Sequence, residues 1–164
     1  MPEIRLVQIT EKDEPFLWEM LYLALFVPEG KPPFLRDILT EPDIACYMQG
    51  WGRPGDWGLL ACEGKSPIGA IWLRQWSGVE KGYGYVSPVI PELSIALLPE
   101  YRNKGLGTRM LKTVISLSRE RFSGLSLSVV ESSPARRLYE RMGFKKVGQI
   151  MESWVMLLEW EKRA

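Results

Sequence analysis

The chain has 164 residues, 46% hydrophobic and 25% charged, with a formal net charge of +1; this is the size and balance of one globular domain without global attraction for polyanions. It contains no histidine, which excludes serine or cysteine nucleophiles activated by histidine and histidine-ligated metals, and its two cysteines, Cys46 and Cys62, are too few to hold zinc. The start, MPEIRLVQIT, has no basic stretch ahead of an apolar one and no apolar run reaches ~18 residues, so the expectation is a cytoplasmic protein with free thiols, no membrane association and no metal.

In chain order, EIRLVQI (3–9) alternates apolar and polar residues and predicts a strand. Asp13 ahead of Glu14 and Pro15 predicts a helix opening, and Phe16, Leu17, Met20, Leu21, Leu23 and Ala24 carry that helix to about Phe26. After the turn-rich VPEGKPP, residues 34–49 read as a second helical region broken near Glu41–Pro42. WGLLACE (57–63) and PIGAIWLRQW (67–76) flank the turn EGKS and predict a hairpin. The glycine- and proline-rich SGVEKGYGYVSPVIP reads as a connection or short extra strand. ELSIALL (92–98) is a strand apolar enough to be buried on both faces. GLGTRMLKTVISLSRERF predicts a helix with Leu106, Met110, Val114 and Leu117 on one face. A strand at 124–131 follows, then a helix over 133–144 that opens on Ser132 or Ser133, carries Pro134 in its first turn and stops at Gly143. The end, 145–160, reads as two strands joined near Glu152. No repeat or linker interrupts the chain, so one α/β domain spanning 1–164, with a mixed sheet, is expected.

The stretch LLPEYRNKGLGTRML (97–111) places Arg102, Gly105 and Gly107 where a strand gives way to a helix. The first four N–H groups of a helix have no intrahelical partner, and the aligned peptide dipoles add about half a positive charge there. Glycines admit a ligand close to the backbone, and Arg102, Lys104 and Arg109 add cations. The stretch therefore suits a phosphate or pyrophosphate. It is not a nucleotide P-loop, which needs Gly-Lys-Ser/Thr, nor a dinucleotide fingerprint, since Met110 stands at the third glycine.

Arg102-x-x-Gly105-x-Gly107 after a strand ending in Leu-Leu-Pro-Glu-Tyr resembles the acetyl-CoA motif of the GNAT superfamily of N-acetyltransferases. Downstream, SSPARRLYERMGF is similar to the family's second motif, an alanine-led helix that carries a tyrosine and closes at Gly-Phe. The resemblance is tight over 91–146 and loose over the rest. It implies a mixed, mostly antiparallel twisted sheet flanked by helices, with acetyl-CoA as co-substrate and direct attack by an amine. Histidine is then not needed. It implies that the backbone N–H of Leu97 or Leu98 meets the thioester oxygen, and that Arg102, Asn103, Lys104, Gly105, Leu106, Gly107 and Thr108 hold the pyrophosphate. Ser132 stands near where the family often has an asparagine contacting the cofactor. Tyr139 is implied to protonate the departing thiolate, with a tyrosine packed on the sheet as the plainer alternative. Glu92, sharing a strand face with Ser94 and Ala96, is the candidate base; the alternative is a strand-end carboxylate in water.

The acceptor is implied to bind near 26–57 and the turn at 150–154. The first segment carries Glu29, Asp37, Glu41, Asp43 and Asp56 with Phe34, Tyr47, Trp51 and Trp57, a composition suited to a small cationic amine in preference to a peptide. It is also the composition of a half-buried, solubilised helical region. Homodimers are common in the family, but the sequence identifies no interface. The rival reading of another class is an acyl-CoA-binding sensor without catalysis. Nucleic-acid binding is not expected, because acids balance the local bases at 102–112 and 136–146.

Overall fold

Strand alternation sets the architecture. In a computed structural model describing residues 3–160, seven strands form one sheet: β1 (Ile4–Gln8), β2 (Trp57–Glu63), β3 (Ser66–Arg74), β4 (Glu92–Leu97), β5 (Gly124–Val130), β6 (Lys145–Ile150) and β7 (Ser153–Glu159), in the spatial order β1-β2-β3-β4-β5-β7-β6. Met1, Pro2 and residues 161–164, which the single-domain expectation took in, lie outside the described residues. All neighbours are antiparallel except β4 and β5. The expected mixed, mostly antiparallel sheet is therefore present.

Helices cover both faces, and successive side chains serve opposite ones. On β2, Leu59 and Ala61 join one core while Leu60 and Cys62 join the other; on β3, Ile71 and Leu73 oppose Ala70 and Trp72. The first core lies under α3 (Leu106–Ser118) and α4 (Ala135–Arg141); the second lies under α1 (Glu14–Ala24) and α2 (Pro42–Ala45). Among the described residues no helix is long and apolar enough to cross a membrane.

Two local expectations change and one holds. Asp13 precedes α1 without capping it; its carboxylate accepts the Thr10 N–H at 2.7 Å and closes the preceding 3-10 turn instead. The second helical region breaks where expected, at extended Glu41 before Pro42, into a 3-10 turn (Arg36–Thr40) and the one-turn α2. On α3, Leu117 is 48% exposed and Ser118 is buried in its place. Each i+4 step advances about 40° around a helix, so the buried stripe rotates from Leu106 and Met110 toward Ile115 and Ser118, leaving Leu117 behind it.

β4 and β5 matter most. They register only at Glu92↔Ser126, where the Ser126 N–H donates to the Pro91 carbonyl at 3.0 Å. Beyond that pair the strands part toward their C-terminal ends, and the sheet opens. Accordingly β4 is not sealed on both faces: Ser94 and Ile95 are half-buried at the gap.

Candidate active site

A cleft of about 1070 Å³ occupies the opening between β4 and β5. One half is built of backbone. The 3-10 turn Pro99–Tyr101 lifts the chain off β4, and two left-handed residues, Asn103 (φ 61°) and Gly105 (φ 84°), turn it into α3. Glycine suits that φ because it has no Cβ to clash. The first i→i−4 bond after the turn is Arg109 N–H to the Gly105 carbonyl at 3.1 Å, so the N–H groups of Leu106, Gly107 and Thr108 lack such partners. A Cβ at Gly105 would meet nothing within 4 Å, and one at Gly107 nothing nearer than the Leu97 Cδ1 at 3.9 Å. Packing therefore does not demand glycine at 107, and the space before the helix end is free for a ligand. The chemistry fits a pyrophosphate: oriented donors at the helix end, with Arg102 and Arg141 on the cleft wall.

Of the residues singled out in the sequence, Glu92, Leu97, Arg102, Asn103, Gly105, Gly107, Thr108 and Tyr139 line this cleft. Four sit elsewhere. Leu98 donates its N–H to the Ile68 carbonyl at 2.9 Å; by alternation the Leu97 N–H turns toward the β5 gap. The Lys104 ammonium lies 6.0 Å from the Tyr101 ring centre, on the exposed side of the turn. Leu106 is buried in the α3 core, so only its backbone faces the turn. Ser132 is exposed and off the wall; Ser133 lines the cleft instead, its Oγ accepting the Ala135 N–H at 3.3 Å in the turn that leads into α4. Arg136 pairs with Glu140 at 3.3 Å and stacks over Trp154 at 4.6 Å, while Arg137 is exposed.

Tyr139 packs edge-on to Phe144 at 6.0 Å and is 8% exposed. Burial raises its pKa to about 12. At neutral pH the phenol is therefore uncharged, with its hydroxyl proton in place.

The other half of the cleft is built of side chains. Glu92 is not a strand-end carboxylate in water: it is 2% exposed. Its Oε1 accepts the Trp76 Nε1–H at 2.9 Å and the Gly84 N–H at 3.0 Å, and its Oε2 accepts the Tyr47 hydroxyl at 2.6 Å. Burial outweighs these donors and raises the carboxyl to about 7. Gly82 and Gly84 press on it, and a Cβ at Gly84 would come within 2.8 Å of the Glu92 Cδ. Tyr47 in turn accepts the Tyr83 N–H at 2.7 Å, and the Tyr83 hydroxyl donates to Asp43. Tyr22, Phe34 and Ile44 complete this wall, with Ser153 from the 150–154 turn reaching the cleft on the β7 side.

The acidic cluster expected at the acceptor site is mostly absent. Asp56 is tied to Arg74, both almost fully buried, at 2.9 and 3.1 Å, and Arg74 also donates to the Cys46 and Gln49 carbonyls. This pair pins the 46–56 loop against β3. Trp57 serves the α3 core. The sequence reading missed Tyr47 as a partner of Glu92, and missed Trp76, Tyr83 and Arg141 altogether. Its one available signal was GYGY (82–85), two glycines spaced for close approach to something bulky.

The chain matches the model of the acetyltransferase (GNAT) family over residues 15–144. An N-alpha-acetyltransferase of Sulfurisphaera tokodaii is 36% identical over 58 residues, 34% of this chain and 35% of that protein. A [ribosomal protein bS18]-alanine N-acetyltransferase of Haemophilus influenzae is 37% identical over 70 residues, 40% of this chain and 48% of that protein. The chain thus spans between a third and a half of the length of these curated relatives. The PaiA N-acetyltransferase of Thermoplasma acidophilum, solved with coenzyme A, has a TM-score of 0.69 at 16% identity, covering 96% of this chain and 99% of that one, a likeness of fold. The chain belongs to the GNAT acetyltransferase family.

Proposed function

We propose that the protein is an N-acetyltransferase that moves an acetyl group from acetyl-CoA to an amine by direct attack within a ternary complex. One observation carries the reading: the β4–β5 gap joins the open N-terminus of α3 to a buried carboxyl, Glu92, across a single cleft. Acetyl-CoA supplies an activated thioester and a stable thiol leaving group. The N–H groups at Leu106, Gly107 and Thr108 bind pyrophosphate, with Arg102 and Asn103 at the turn. The Leu97 N–H polarises the thioester carbonyl from the gap. Glu92 takes the proton released by the amine, and Tyr139, kept protonated by burial, returns one to the departing sulfur. Lys104 is given little weight, since its ammonium lies 6.0 Å from the Tyr101 ring centre on the exposed side of the turn.

We favour a small primary amine as acceptor, because Tyr22, Phe34, Tyr47 and Tyr83 line the same cleft as the Glu92 carboxyl. The names of the two curated relatives favour a second reading, a polypeptide N-terminus. A cytoplasmic setting is supported by two buried free thiols, Cys46 and Cys62. The test is thiol release from acetyl-CoA with a panel of small primary amines and alanine-led peptides. Turnover on small amines is expected. Turnover on peptides alone would overturn the small-amine choice, and acetyl-CoA binding with no turnover on any amine would turn the protein into a sensor.

A further inference from the structure

We propose that the Tyr47 hydroxyl is the proton relay between the incoming amine and Glu92. Three groups donate to the Glu92 carboxyl: the Trp76 indole, the Gly84 N–H and the Tyr47 hydroxyl. An indole and a backbone amide can only donate; a phenol donates and also accepts. Of the three, Tyr47 alone can pass a proton through. Gly82 and Gly84 close over the carboxyl, which is 2% exposed where it meets the cleft, and Tyr47 stands beside it on the cleft wall.

The valences agree. The Tyr47 oxygen gives its proton to Glu92 at 2.6 Å and accepts the Tyr83 N–H at 2.7 Å. A hydroxyl oxygen has two lone pairs; the second is reached by the Ser128 hydroxyl, which an N–H of the amine would displace. In the step, the N–H bond of the ammonium breaks and its proton bonds to the Tyr47 oxygen. The former Tyr47 proton moves to Glu92 Oε2, and the nitrogen keeps its electron pair for attack. The ammonium loses one proton and the carboxylate gains one. Tyr47 is unchanged and never becomes a phenolate, which burial and the Glu92 charge disfavour by holding its pKa well above the usual value.

The surroundings leave this path undisturbed. Arg74 is the register partner of Glu92 on β3, but its guanidinium is spent on Asp56 and two carbonyls. From α2 and the loop after it come Asp43, bound by the Tyr83 hydroxyl, and the Cys46 thiol, which burial raises to about 11. Glu80 lies on the far side, paired with Arg53. From β5 come the neutral Ser126 and Ser128, the latter hydrogen-bonded to the Tyr47 hydroxyl.

The inference rests on the acetyltransferase reading, and its test separates the two. Turnover is measured for wild type, Tyr47→Phe, Glu92→Gln and the double variant across pH and across amines of graded basicity. For strongly basic amines Tyr47→Phe is expected to lower kcat by about 100-fold with the KM for acetyl-CoA unchanged. Amines already neutral at the assay pH should lose only a few-fold, and the double variant should be no slower than the slower single. An equal loss for every amine, no loss, or additive losses would overturn the relay while leaving the enzyme reading intact. A wild type that acetylates nothing would overturn both. Should Tyr47→Phe not fold, a proton inventory of wild type in mixed light and heavy water decides: a bowed curve from two moving protons supports the relay, and a straight line contradicts it.

Discussion

The two halves of the cleft are made differently. The half proposed for acetyl-CoA is one continuous piece of chain, residues 97–108, whose donors are backbone N–H groups at a helix end. The acceptor half is assembled from Tyr47, Trp76, Tyr83 and Glu92, and its central bond joins residues 45 apart in sequence. Backbone donors tolerate most side-chain changes and fail only when a carboxylate or bulk enters the cradle. A side-chain network fails when any member loses its polar atom. The halves should therefore break separately.

The largest effect is expected from Gly105→Asp with Gly107→Asp. Two carboxylates would face the pyrophosphate from open space, and kcat/KM for acetyl-CoA should fall about 1000-fold or more with the fold retained by circular dichroism. Next is Glu92→Gln, expected to lower kcat by about 100-fold and to abolish the limb of the rate profile near pH 7. The same variant has a stability signature. Folding raises the Glu92 pKa from 4.5 to about 7, so the folded chain holds a proton that the unfolded chain has released in that window. Wild-type stability should fall by roughly 3 kcal/mol as pH rises from 4.5 through 7, and Glu92→Gln should flatten this dependence in denaturant titrations.

Tyr139→Phe should lower kcat by about 10- to 30-fold with a thioester, because the thiolate leaves readily even without a positioned acid. Lys104→Ala is the smallest, less than about 2-fold in the KM for acetyl-CoA, since an exposed cation is screened by salt. A large Lys104 effect would mean that the cofactor half depends on side chains after all.

The same contrast explains what could be read from the sequence. Arg102, Gly105 and Gly107 signal through local geometry, because a helix end and a left-handed φ are decided within a few residues. The gap between β4 and β5 was not legible, since strand partners are not written in either strand. Nor was the fate of the carboxylates: Asp56 and Asp43 look alike in composition, yet one is locked to Arg74 and the other holds Tyr83. Ser132 and Ser133 are the same residue type side by side, yet only Ser133 lines the cleft, a difference made by a single turn of backbone. Glu92 was placed on the right strand face by alternation, but its burial comes from the 82–84 segment folding over it.

The most direct test is calorimetric titration of acetyl-CoA into wild type, the Gly105→Asp/Gly107→Asp variant and Glu92→Gln side by side. The account predicts that Glu92→Gln binds as wild type does while the glycine variant, folded, does not bind. Loss of binding in Glu92→Gln, or binding that survives both aspartates, would contradict the division of the cleft into a backbone cradle and a separate acceptor wall.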